Sequence, residues 1–383
     1  MAMLSNEAAI YSLLLVVGTF AFLWFTANTW ASRRFSPTDY FALTGVRAPQ
    51  ALLDFDVDKA NARPYRPFRW EYHQTMSLKS MDPDRWVELE STYRERIHQR
   101  MELYAIHNKK IIDWLPGSED ACRELMEMVI QFVCARYPRQ FQMDAASGLF
   151  RNDILNIVSD TTNIHPLLFL LQHIPEDFLL TQEDKTSGLY VFRAGVSCSS
   201  IGWNVSTKIG LPLADIHGDV PDYKEKMEFS MNRFFTNMKI DKPIQRGSWG
   251  IEVGRPLFLQ EEDPDYRVHV PDLKLRDIHL RVDWQTLRRL PKSRAICFNF
   301  KALFTPIEQF RTEPFIPRLL LKILRDGKPS FMEYKSFSHV EGIVVPALQE
   351  WVKEQEDKGW VPADWKERTL DEDPFFPGWE SKL

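Results

Sequence analysis

One histidine, His217, stands between Asp215 and Asp219 in the stretch GLPLADIHGDVPDY. A neutral imidazole can hold a metal or haem iron through one ring nitrogen while the other bonds a carbonyl or carboxylate. Asp215 and Asp219 are near enough in sequence to act as that second partner. Downstream, Met227, Met231, Phe234 and Phe235 recur at helical spacing, a soft and aromatic face suited to a porphyrin edge. Haem propionates need cations, and Arg281, Arg288 and Arg289 in HLRVDWQTLRRLPKS offer them. Each of these features also has a plainer use. The histidine can be structural or cap a helix, the Met/Phe stripe can be core, and the arginines can form a solvated or salt-bridged face. His165 and His173 lie eight residues apart, about 2.2 turns on a helix, sharing a face without adjoining. Pro166 and Pro175 interrupt that helix, which argues against a metal pair.

The elements around His217 follow from pattern. A strand-like run, Leu189–Phe192, leads through a Gly/Ser-rich bend at Ser197–Gly202 to the loop that presents His217, and Pro221 then opens an amphipathic helix. Helical stripes are expected over Asp84–Lys110 and from an N-cap at Ser118 to Tyr137. Phe150–Leu180 is apolar and fits neither period cleanly. Strands are expected at Leu189–Val196, Gly250–Val253, Ile278–Asp283 and Ala295–Ala302. They are not interleaved with helices, so the reading is an α+β fold with an antiparallel sheet. The basic, aromatic segment RPYRPFRW (63–70) reads as an arm on the core or near a membrane surface. The Trp-rich tail, 351–383, reads as packed on a domain spanning 35–350.

Composition narrows the function classes. The chain has 383 residues, 44% hydrophobic and 26% charged, and can bury a full core. Its net charge is −5 with no basic stripe, so nucleic acid is not an expected partner. No GxGxxG, P-loop, HExxH or GxSxG motif occurs, and no cysteine set could hold an iron–sulfur cluster. A redox role would therefore draw electrons from another protein, with no nucleotide cofactor bound by this chain. Cys122 and Cys134 share one expected helix, about 18 Å apart, too far for a disulfide. The segment Ala8–Ala27 is nearly all apolar, and no charge falls between Ala8 and Ser32. About 20 such residues suffice to span a bilayer. Arg33 and Arg34 follow it, which places the body of the chain on the cytosolic side of a single-pass anchor, residues 1–34.

A set of longer motifs carries a resemblance: YHQTMSL, DWLPGSEDACRELMEMV, RYP, GWNVSTKIGLPLADIHGDVPDY, MNRFF and RVDWQTLRRLPKSRAICFNFK. Together, over roughly 63–306, they resemble the alpha subunit of haem-dependent oxidative N-demethylase, in a membrane-anchored, fungal-type form. The resemblance implies a PAS-like haem-binding domain, an antiparallel sheet with helices, and haem b held by a histidine. It implies monooxygenase-like oxidative demethylation of an amine or related small substrate with dioxygen. The electrons would come from separate flavin and iron–sulfur subunits or another donor. Within it, His217 of IHGDVP is the expected iron ligand, and His73 of YHQTM a second ligand or distal-pocket residue. Arg281 and Arg288 are expected near the propionates. The sequence departs from the soluble enzymes in its anchor, which suggests the cytosolic face of the endoplasmic reticulum. It also has GSWG at Gly247–Gly250 where an Arg-Asn-Trp-like run is expected, a difference bearing on substrate and reductase. The alternative reading is a non-catalytic haem or small-ligand PAS-like sensor, distinguished by the absence of turnover.

Overall fold

The chain is described by a computed structural model over residues 38–71, 76–266, 272–335 and 337–383. The expected anchor, residues 1–34, and His73 lie outside these. No helix among the described residues is long and apolar enough to cross a membrane.

The two helical stripes form helices Tyr93–His107 and Glu119–Arg136. The second is enclosed by core, burying Leu125, Val129, Phe132 and Val133. Its start is capped differently from the expectation for Ser118. The Ser118 hydroxyl donates to the Leu115 carbonyl at 2.7 Å, and the Glu119 carboxylate accepts from Gly117 N–H at 2.7 Å.

Ten strands are found among the described residues: β1 Lys79–Ser80, β2 Ile112–Trp114, β3 Phe141–Asp144, β4 Leu149–Asn152, β5 Ile157–Asp160, β6 Asp177–Glu183, β7 Tyr190–Val196, β8 Ile244–Val253, β9 Ile278–Arg289 and β10 Ile296–Pro306. Seven make one antiparallel sheet in the order β1-β8-β9-β10-β6-β7-β2, and β3-β4-β5 make a second. The fold is α+β, as expected. The four expected strands are present, three of them longer than pattern alone suggested. The ambiguous apolar stretch divides into β4, β5, the helix Pro166–His173 and the start of β6. Pro166 begins that helix, where its missing N–H costs nothing.

The two faces of the main sheet are treated differently. On the far face, Phe178, Leu180 and Cys297 pack into a cluster with the two long helices. On the same face, Trp249, Leu280, Val282 and Trp284 pack against helices Ile316–Asp326 and Glu341–Asp357. Leu370 and Phe376 of the C-terminal stretch join this second cluster. On the near face, a smaller cluster gathers Leu213, Tyr223, Met227, Met231 and Phe235 from the segment between β7 and β8.

The arm 63–70 lies along the far face. Tyr65 stacks on Trp284 with centroids 3.9 Å apart, and Phe68 meets Trp249 edge-on. Gly247 is explained by this arm. A Cβ there would sit 2.9 Å from Pro67 Cβ, so no side chain fits between β8 and the arm. Arg66 fastens the arm through two 2.7 Å bonds to Glu313, with the two residues 1% and 0% exposed. Removing one partner of a buried pair leaves an uncompensated charge, at a cost of about 3–5 kcal/mol. Urea unfolding of Arg66→Ala should show a loss of that order, with most of it recovered in Arg66→Met/Glu313→Leu.

Candidate functional site

His217 closes a one-turn helix, Leu213–Ile216, which starts after Pro212. Its backbone N–H bonds the Leu213 carbonyl at 3.2 Å, and its ring Nδ1 lies 2.8 Å from the same oxygen. A carbonyl only accepts, so Nδ1 carries the proton and Nε2 is left with its lone pair. No partner for Nε2 is found among the described residues. The ring stacks on Tyr223 at 5.0 Å and 8°, and Tyr223 in turn donates to Met231 Sδ at 3.4 Å. Burial holds the His217 pKa below its ordinary value, and the nearby Arg246 and Lys208 add to the effect. The imidazole is therefore neutral at physiological pH, the form that binds a metal.

The sheet facing this segment is open. Side chains alternate across it. On the near face, Leu179, Phe298, Gln285, Ser248 and Arg246 are all half-buried. Their neighbours on the far face, including Leu180, Asn299, Trp284 and Trp249, are buried. These half-buried side chains mark the part of the near face that the segment between β7 and β8 leaves partly uncovered. Trp203 and Phe300 form one wall, with centroids 6.4 Å apart, and Phe298 adjoins Phe300 at 5.6 Å. Charge gathers along one side. Arg281 Nε bonds Asp283 at 3.0 Å, and Lys335 donates to the Trp249 carbonyl at 2.6 Å at the outer edge of β8. Lys335 feels both Asp283 and Arg246.

The expected site residues are distributed unevenly. Arg281 lies on the near face, but its guanidinium is engaged by Asp283, the Pro256 carbonyl and the Ser199 carbonyl. Arg288 does not come to His217. It lies on the far face, 3.8 Å over the Trp86 ring. Its neighbour Arg289 faces the near side, bonding the Met238 carbonyl at 2.8 Å and Tyr190 Oη at 2.9 Å. His165 and His173 hold structure. His165 Nδ1 accepts from Leu167 N–H, and its ring stacks on Trp114. His173 lies between Asn152 and Ser159. Asn152 Nδ2 donates to Nδ1, so Nε2–H is the donor to Ser159, the wrong tautomer for a base. Asn204, in the sequon Asn204-Val205-Ser206, is buried as a helix cap. Arg246, Trp203, Gln285 and Lys335 were not singled out from sequence.

Residues 77–345 match the family described as haem-dependent oxidative N-demethylase, alpha subunit-like. The chain belongs to that family. The match takes in His217 and the near-face residues named above, starts after His73, and extends past the motifs that end near residue 306. Haem dependence is part of the family's description.

The residues present fit a haem. Among the described residues no group of three or more His, Cys, Asp or Glu could hold a bare ion. A porphyrin brings four ligands of its own and needs only an axial one. The near face offers one histidine with a lone pair, an aromatic wall and cations.

Burial depresses the Lys335 pKa from 10.5 to about 7. Between these values the unfolded chain holds a proton that the folded chain lacks. Stability should therefore fall as pH drops through that window and level off below it. Urea unfolding across the window should show this slope in the wild type and lose it in Lys335→Met.

Proposed function

We propose that this chain is a haem-dependent oxidoreductase that oxidatively demethylates an amine or a related small organic substrate, with dioxygen and electrons from a separate protein. The observation that carries the reading is His217, whose Nδ1–H is fixed on the Leu213 carbonyl and whose other ring nitrogen is unpartnered among the described residues. A second bond of this kind is what orients a metal-ligating imidazole and raises its basicity. The antiparallel sheet, with short helices on one face between β7 and β8, supports a PAS-like domain.

When bound, haem b supplies the iron at which dioxygen is activated. The chain's own residues do the rest. Leu213 sets the tautomer of His217, and Tyr223 holds its ring plane. Leu179, Phe298, Phe300 and Trp203 present apolar surface to a flat ligand and keep water from it. Arg246 is the near-face cation placed for a propionate, with Arg281 held further along by Asp283. Arg288 serves the packing of Trp86 on the other face. By the family resemblance, His73 is the second choice of ligand or a distal-pocket residue.

The absence of flavin, nicotinamide and cluster motifs supports an electron donor in trans, such as a flavin and iron–sulfur reductase. The apolar run Ala8–Ala27, followed by Arg33 and Arg34, supports a membrane anchor with this domain on the cytosolic face, at the endoplasmic reticulum.

Absorption spectra of the purified full chain, oxidised, reduced and with CO, test the reading. A Soret band is expected, abolished or shifted in His217→Ala. A colourless wild-type protein after expression with added haem would overturn it. Haem binding without reductase-dependent product would instead mark a sensor.

A further inference from the structure

The far face of the sheet, away from His217, contains a cavity of about 260 Å³. It lies between β9–β10, the helix end at Arg136–Tyr137 and the N-terminal segment 52–65. Its charges are mostly satisfied from within. Glu88 pairs with Arg63 at 2.9 Å and Arg85 at 3.1 Å, and Glu90 pairs with Lys301 at 2.9 Å.

Arg136 is the exception. It is 5% exposed, donates through Nη1 to the Gln50 carbonyl, and makes no ion pair among the described residues. Its Nε has no acceptor. Trp284, also in the lining, has a buried Nε1–H with no acceptor. The opposing charge that acts on it, Asp84, is itself bonded by Arg47 at 2.8 Å, and a buried guanidinium N–H left without an acceptor is costly to maintain. The unmet groups of both residues are donors, so what would complete the site is an acceptor carrying negative charge. The third side-chain carboxyl in the lining does not meet that need. Glu176 is 4% exposed and accepts from Glu88 N–H at 3.1 Å and from Asn299. Burial raises its pKa to about 8, so at neutral pH it is mostly protonated. Much of the remaining wall is apolar, including Phe55, Leu89 and Tyr137.

We infer that this cavity is a second ligand site, for a small organic carboxylate whose charge meets Arg136 and whose apolar body packs on Phe55, Leu89 and Tyr137. Arg is suited to a carboxylate because its fork of N–H groups matches the two oxygens. The site lies across the sheet from the His217 cleft, so its occupation does not require haem.

Calorimetric titration of the full chain with benzoate, with and without added haem, tests this. Benzoate should bind saturably at one site in both cases. Benzyl alcohol and benzylamine should bind at least about tenfold more weakly. Arg136→Gln should weaken benzoate by a similar factor. Ala62→Trp, on an exposed loop residue that lines the cavity, should block it without touching the core. The Soret band of haem-loaded protein should not move. The inference is overturned if folded wild-type protein shows no saturable benzoate binding, if both variants bind as the wild type does, or if benzylamine binds as well as benzoate. A benzoate-induced Soret shift that disappears in His217→Ala would place the ligand at the iron and overturn it too, while leaving the haem reading intact.

Discussion

The Nδ1–H of His217 donates to the carbonyl of Leu213 across 2.8 Å, and the rest of the near face is arranged around that bond. It fixes the tautomer, closes a single turn of helix and leaves Nε2 as a lone pair on a neutral ring. One turn of helix is too little to stand alone. Tyr223, Met227, Met231 and Phe235 pack it onto the sheet. The histidine is held by short helices in a segment that crosses the sheet from β7, near one edge, to β8, near the other.

The far face provides the stability that an open near face gives up. Two aromatic and aliphatic clusters pack along it, and the arm and C-terminal stretch close over the second. Two fully buried ion pairs, Arg66–Glu313 and Arg100–Asp177, cross between segments far apart in sequence. Such pairs return little net stability after desolvation, but a mismatched arrangement would strand a charge. Their effect is to specify how the arm and the helix Tyr93–His107 meet the sheet.

Much of this was legible in the chain. The helical stripe from Leu125 to Val133 and the alternation in RAICFNFKALF each point to one period, and each forms the element it implies. Phe150–Leu180 did not, because two short strands, a two-turn helix and the start of β6 follow within about thirty residues and their periods overlap. His217 was expected in a loop ahead of an amphipathic helix. Helices Tyr223–Lys226 and Glu228–Asn237 do follow it, but His217 itself ends a turn too short to show any period. The arginines illustrate a different limit. Reading the β9 strand only to Asp283 left Arg288 and Arg289 as one basic cluster. Once the strand runs to Arg289, alternation sends them to opposite faces, and only Arg289 joins the His217 side. Arg246 precedes Gly250, where the strand pattern in the sequence begins, so no alternation there marks it as a near-face residue. The anchor and His73 belong to segments outside the described residues, so the family resemblance alone still speaks for His73.

The central claim is an iron–nitrogen bond to His217. Resonance Raman spectroscopy of the ferrous, haem-loaded protein reports that bond directly. The account predicts an iron–histidine stretching band in the wild type, its loss in His217→Gly, and its return when imidazole is added to that variant. A band that persists unchanged in His217→Gly would show that another residue holds the iron and would contradict the account.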